Sequence, residues 1–160
     1  MGAVYTQTEL HLQRKRWKEE RKTVVFTNGV FDILHRGHVD YLTKAKALGD
    51  ILIVGLNSDT SVKRIKGDLR PIVRQDDRAF VLAGLASVDA VCLFEEDTPF
   101  NIISLLVPDT LVKGADYTVE TIVGRDVVEA AGGSVRTIEF VPDRSTTSIV
   151  DTILNRFGKH

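Results

Sequence analysis

Ile51-Leu52-Ile53-Val54-Gly55-Leu56 is an apolar run with no polar alternation, and Val24-Val25-Phe26 is a shorter run of the same kind. A strand with one wet face alternates apolar and polar residues. A strand that reads apolar throughout is buried on both faces, as in a parallel sheet covered by helices on either side. After the first run come Val39, Leu42, Ala45, Lys46 and Leu48 at helical spacing, and Gly49-Asp50 ends that helix just before the second run. The pattern is strand, helix, strand, the kind of crossover connection that a parallel pair of strands requires.

The alternation continues. Asp76 or Asp77 is placed to cap a helix carrying Arg78, Phe80, Val81, Leu82 and Leu85, and Val88 to Phe94 reads as a strand. Asp97-Thr98-Pro99 opens a helix through Ile102, Ile103 and Leu106, with Pro in its first turn. Leu111 begins a fourth strand that leads into the loop Lys113 to Tyr117, and the helix holding Gly124 to Val128 is closed by Gly132-Gly133. A strand from Val135 to Val141 precedes a last helix, opened by Asp143 to Ser148 and running through Ile149, Ile153, Leu154 and Phe157. Strands alternating with helices predict an α/β fold: a Rossmann-like, doubly wound, five-stranded parallel sheet with helices on both faces. The Gly-x-Gly-x-x-Gly fingerprint of dinucleotide folds is missing after the first strand.

Residues 1–22 stand apart as an N-terminal helical extension, with 23–160 as a single domain. The extension is rich in cations, among them Arg14, Lys15, Arg16 and Lys18, and reads as a solvated helix face that packs Trp17 on the domain. A chain of 160 residues with 43% hydrophobic and 27% charged residues suits one soluble globular domain. Its net charge of −1 argues against a nucleic-acid or anionic-membrane binder. The single cysteine, Cys92, excludes a disulfide framework and reads as a buried thiol. With no membrane-length apolar segment and no signal-peptide core, the expected location is cytoplasmic.

The chemistry concentrates after the first strand, in Thr27-Asn28-Gly29-Val30-Phe31-Asp32 and His35-Arg36-Gly37-His38. A helix start offers unpaired N–H groups and the positive end of a dipole, which makes it an anion site, and Gly37 lets the chain approach a phosphate closely. His35 and His38 could aim N–H groups at one anion. A lone histidine is usually an ordinary polar residue, but four His and twelve Gly in the chain make a chance His-x-Gly-His roughly a 0.7% event. The segment Ser61 to Val73, with Lys63, Arg64, Lys66 and Arg70, reads as a mobile basic loop at the carboxyl end of the second strand, where ligands of open α/β sheets bind. Arg144 with Ser145, Thr146 and Thr147 reads as a second phosphate clamp facing the first, although hydroxyl residues also cap helices for structural reasons alone.

These motifs resemble the signature of the HxGH nucleotidyltransferase superfamily, over almost the whole chain from Val24 to Leu154. Leu56-Asn57-Ser58-Asp59, Lys66-Gly67-Asp68 with Arg70-Pro71, Val112 to Tyr117, Thr121 to Gly124 and Ser145 to Thr147 extend the match. Together they are most similar to the stand-alone adenylyltransferases that act on D-glycero-β-D-manno-heptose 1-phosphate. The resemblance implies transfer of AMP from ATP to that sugar phosphate, giving ADP-heptose and pyrophosphate for lipopolysaccharide or surface-glycan synthesis. It further implies a homo-oligomer, a dimer in the simplest case, acting after a separate heptose kinase and phosphatase. Mg²⁺ would be carried by the ATP phosphates, with no protein metal ligand.

Carried onto this chain, His35, His38 and Lys66 are the expected catalytic residues. Asn28, Gly29, Phe31, Gly37, Ser145, Thr146 and Thr147 join the two histidines as expected nucleotide-binding residues, and Lys63, Arg70, Arg78 and Lys113 are expected at the substrate phosphates. Arg144 departs from the superfamily pattern, which has an apolar residue there. Two alternatives remain. One is a CTP-dependent transferase of the glycerol-3-phosphate type, whose Arg-Tyr-Val-Asp-Glu stretch is replaced here by Ala86 to Ala90; the other is a non-catalytic nucleotide-binding module.

Overall fold

The computed structural model describes residues 1–142 and 144–158. Its sheet contains β1 (Ala3–Tyr5), β2 (Val24–Gly29), β3 (Ile51–Asn57), β4 (Ala90–Phe94), β5 (Thr110–Gly114) and β6 (Ser134–Ile138). The strand order is β1-β4-β3-β2-β5-β6, and every pairing is parallel. The helices are α1 (Gln7–Glu19), α2 (Arg36–Lys46), α3 (Asp59–Lys66), α4 (Gln75–Ala83), α5 (Phe100–Leu106), α6 (Arg125–Ala130) and α7 (Thr146–Phe157).

Successive residues of the central strands point to opposite faces. Phe26 and Ile53 join one core with Leu10, Phe94, Ile102 and Leu111, while Val25, Leu52 and Val54 join another with Leu42, Leu82 and Val112. All of these side chains are buried, so the unbroken apolar runs have the two-sided burial that their composition demands. The order reverses at β2, where the chain moves outward through β3 and β4 and then returns to lay β5 on the other side. Such a reversal opens a crevice at the carboxyl ends of the strands, here between β2 and β5.

The sheet has six strands rather than five. β1 pairs with β4 through Ala3↔Ala90, Val4↔Val91 and Tyr5↔Cys92. Three residues, one of them a half-exposed Val4, carry no periodic signal; edge pairing with β4 makes this strand. Residues 1–22 are therefore not helical throughout. Thr6 and Glu9 form a reciprocal capping box that starts α1, which buries Leu10 and Trp17 in the core shared with β2 and β3. Arg14 is buried as well, unlike the solvated cations around it. Its guanidinium donates to the carbonyls of Leu106 and Val107 at the end of α5 and to the Asp109 carboxylate, which in turn accepts from Val24 N.

Local boundaries differ from expectation: β4 starts at Ala90 and β6 ends at Ile138, each strand shorter than its apolar run. The basic segment Ser61 to Val73 is not one mobile loop: Ser58 caps α3, which takes it as far as Lys66 and leaves only 67–74 irregular. Arg74 occupies the N-cap of α4, with Asp76 and Asp77 in its first turn complementing the helix dipole. Asp143, expected in the opening of the last helix, lies outside the described residues; Ser145 and Ser148 form the capping box of α7. None of the described helices is long and apolar enough to cross a membrane.

Removing residues 1–22 should lower the melting temperature by at least about 10 °C, since it exposes the β4 edge and the core under Leu10 and Trp17. Calorimetry of the truncated chain checks this, and a melt within about 3 °C of the full chain would make the segment an appendage.

Candidate active site

β2 delivers Asn28 and Gly29 to the carboxyl edge of the sheet, and the chain then turns sharply through Phe31, whose φ of +46° lies in the left-handed region. A non-glycine residue there carries strain that the surrounding structure must hold, and such strain is common at functional sites. Phe31 is buried and sets the edge of its ring against His38, at 5.2 Å between centroids. His35 takes the N-cap position of α2 without a side-chain cap, so first-turn N–H groups of α2 remain for another acceptor.

The two imidazoles stack, with centroids 3.8 Å apart and planes 22° from parallel. Burial depresses both pKa values. His38 is pushed down to about 4, with a smaller push from His35, and His35 is lowered by burial and then by the Arg144 charge. Both rings are therefore neutral at pH 7, each with one N–H and one lone pair. Nδ1 of each, like Asn28 Oδ1, is buried with no hydrogen-bond partner among the described residues. Unpaired buried polar atoms on three adjacent residues mark a place where a ligand completes the bonding.

A cavity of about 530 Å³ opens beside this corner, over the carboxyl ends of β2 and β5. Asn28, Gly29, Phe31, His38, Lys66, Arg70, Lys113 and Thr146 all line it. His35 lies behind His38 and faces a neighbouring hollow with Arg144 and Ser145. Gly37 is a glycine for packing: a Cβ there would sit 3.0 Å from the His35 ring and 3.2 Å from Arg144 Cβ.

Besides His35 and Gly37, the expected site residues Lys63, Arg78, Ser145 and Thr147 do not line the cavity. Lys63 is exposed outside the cavity, and Thr147 is exposed and lines neither hollow. Ser145 spends its hydroxyl on the α7 capping box, while Thr146 Oγ1 donates to Ile33 O at 3.4 Å. Arg78 is fully buried and corrects the expectation of a phosphate ligand. Its guanidinium donates to Val73 O, Val30 O and Asp59 Oδ1, at 2.9, 2.6 and 2.7 Å, and so ties the loop after α3 to the end of β2.

The cavity also holds residues that had drawn no role from the sequence. Asp32, with its side chain 1% exposed, accepts from Arg70 Nε, Ile72 N and Val73 N. Asp116, Tyr117 and Phe140 line the cavity together with Lys113. Burial pushes the Lys113 ammonium down to about 8, opposed by the nearby Asp116, and its Nζ lies 5.4 Å from the Tyr117 ring centroid. Asp32, Asp116 and Tyr117 sat inside motifs already singled out; Phe140 gave no sequence signal. Among the described residues, no three His, Cys, Asp or Glu converge on a metal position. The site thus combines neutral donors with cations and offers no nucleophile beside a base. It can hold and stabilise a polyanion.

Residues 26–151 match the family model described as cytidylyltransferase-like. The bifunctional protein HldE of Syntrophotalea carbinolica is 54% identical over 148 residues, covering 92% of this chain and 29% of that protein. HldE of Campylobacter concisus is 59% identical over 133 residues, with 83% of this chain and 27% of that protein covered. The chain thus spans under a third of the curated relatives it matches. The crystal structure of the lipopolysaccharide core biosynthesis protein from Thermoplasma volcanium superposes with a TM-score of 0.60 at 29% identity, over 75% of this chain and 97% of that one.

Because His38 has its pKa lowered from 6.5 to about 4 on folding, the unfolded chain binds more protons between those values. Its contribution to stability is complete above pH 6.5 and is lost as the pH falls toward 4. Urea unfolding across this window should show a shallower pH dependence for His38→Asn than for wild type. Identical slopes would mean that the imidazole titrates normally in the fold.

Proposed function

The chain belongs to the cytidylyltransferase-like family and is a nucleotidyltransferase, and on that premise we propose that it transfers AMP from ATP to D-glycero-β-D-manno-heptose 1-phosphate. The products are ADP-heptose and pyrophosphate, destined for lipopolysaccharide or another surface glycan. The observation that carries this reading is the stacked, neutral His35–His38 pair at the start of α2, whose His38 lines a cavity ringed by Lys66, Arg70 and Lys113. The sugar assignment is supported by the motif resemblance and by the likeness to a lipopolysaccharide core biosynthesis protein. The same reading places the enzyme in the cytoplasm as a homo-oligomer, most simply a dimer, using an acceptor made by a heptose kinase and phosphatase.

An oxygen of the sugar phosphate attacks the α-phosphorus of ATP, a new P–O bond forms, and the bond to pyrophosphate breaks. The attacking phosphate is already an anion at neutral pH, so no base is needed and the protein's task is positioning and charge stabilisation. His38 donates its N–H to the α-phosphate oxygens without adding charge, with His35 stacked behind it. Lys66 and Arg70 meet the leaving pyrophosphate, and Lys113 holds a phosphate from the β5 side. Mg²⁺, when bound, would be carried by the phosphates rather than by a protein cage. Asp32 and Asp97 are engaged by Arg70 and Arg64 at 2.7 Å, which leaves Asp116 as the cavity carboxylate to hold a metal-bound water; the ion would add positive charge at the triphosphate.

Pyrophosphate release, with ATP and CTP crossed against heptose 1-phosphate and glycerol 3-phosphate, tests the reading. ATP with heptose 1-phosphate should be the productive pair. Equal or faster release with CTP would assign the protein to the cytidylyl branch of the family. In the productive assay, His38→Ala should lower kcat by about 10²–10³ with ATP binding retained, by analogy with removal of one oxyanion donor. A folded variant within threefold of wild type would remove His38 from the chemistry.

Lys113 must be protonated to hold a phosphate, so kcat/KM should fall as the pH rises through about 8. Lys113→Arg should move that descending limb upward. A limb unmoved by the substitution would belong to another group.

A further inference from the structure

Arg70 projects from the irregular segment 67–74, which begins at Gly67 with φ +93° and nothing within 4 Å of where a side chain would start, and which carries a fully exposed Leu69. A long cation on such a segment would ordinarily lose much of its phosphate affinity to the entropy of being ordered. Here it is ordered in advance. Asp32 Oδ2 accepts from Arg70 Nε at 2.7 Å and also from Ile72 N at 3.0 Å, while Asp32 Oδ1 accepts from Ile72 N and Val73 N at 2.9 and 2.8 Å; Arg70 itself lines the cavity. The carboxylate is almost wholly removed from water, whereas the Arg70 side chain is 24% exposed. Water therefore competes poorly for the bond, and charge-assisted bonds of this length are strong.

We propose that Asp32 is a positioning residue: through the Oδ2–Nε bond it presets Arg70 to receive the pyrophosphate portion of the bound nucleotide. The inference rests on the transfer reading above, although what it claims is a coupling between two residues. A purely structural role for Asp32 would run through the two backbone amides alone. Arg70 Nε is held by Oδ2 alone and Val73 N by Oδ1 alone, with Ile72 N shared between them, so the two oxygens allow these roles to be separated. In Asp32→Asn, the remaining oxygen can still serve Ile72 N and Val73 N, but the new amide N–H₂ faces another donor at Arg70 Nε. Arg70 is released while the segment stays in place.

Inorganic pyrophosphate binding to the full chain, titrated calorimetrically with Mg²⁺ present, reads the effect without turnover. Arg70→Ala should weaken binding roughly tenfold to hundredfold, the range for losing a charged hydrogen bond. Asp32→Asn should reproduce most of that loss, and in the Arg70→Ala background it should add less than about twofold. Hydrogen exchange should leave the Ile72 and Val73 amides protected in Asp32→Asn. Wild-type affinity in Asp32→Asn, an equal loss with and without Arg70, or loss of protection at those amides would overturn the proposal. Should Asp32→Asn fail to fold, Arg70→Lys keeps the charge but loses the guanidinium's second donor edge; it should lose most of what Arg70→Ala loses, and wild-type affinity there would equally overturn it. A protein that releases no pyrophosphate from any substrate pair, yet binds it in this coupled way, would sink the transfer reading and leave the positioning role standing.

Discussion

Everything in this molecule depends on β2 being buried on both faces between β3 and β5. Its apolar residues fill two cores at once, Phe26 on one side of the sheet and Val25 on the other, so the strand cannot slip by one residue without exchanging its partners on both. Its register is fixed against β3 over its full length, from Val24↔Ile51 to Gly29↔Leu56. That fixes where the strand ends, and with it where Asn28, Phe31 and the two histidines stand. The strand beyond β2 is supplied by a chain that has gone out to β4 and come back, so the carboxyl end of β2 opens into a crevice rather than onto a neighbour's loop.

The electrostatics of that crevice are divided between two kinds of donor. His35 and His38 are kept neutral chiefly by burial, with a smaller push from Arg144 on His35 and from His35 on His38, so they can approach a phosphate without the desolvation cost of a buried cation. The charge comes from lysines and an arginine around the rim, one of which, Lys113, is buried far enough to hold its proton weakly. A neutral donor suits a position where charge develops only during the reaction, whereas fixed cations suit a triphosphate that is charged throughout.

The arginines show how differently one residue type is used within a single chain. Arg14 and Arg78 are buried and bound to carbonyls and carboxylates, the first joining α1 to the end of α5, the second joining β2, α3 and the loop before α4. Arg64 spans to Asp97 at the cavity rim. Arg70 is half committed, with one edge on Asp32 and the other toward the cavity. A guanidinium has five donors in a rigid fork, so it can act as a strut or as a ligand according to how many of them the fold consumes.

The sequence alone determined the α/β class, the parallel sheet and the strand-to-helix corner beside which the cavity opens. Two-sided burial and a helix start after a strand are local properties, written in consecutive residues such as Ile51 to Leu56 and His35 to His38. Only the tertiary structure decided which charged side chains remain available. Arg78 and Arg70 look alike in the sequence, and nothing local reveals that Val30, Val73 and Asp59 consume every donor edge of the first while Asp32 takes a single edge of the second. The same holds for β1, which exists because the β4 edge was there to pair with, and for Phe140, which reaches the cavity from the far end of β6. Hydrogen-bond partners and edge pairings join residues distant in the chain, so their outcome is settled when those residues meet.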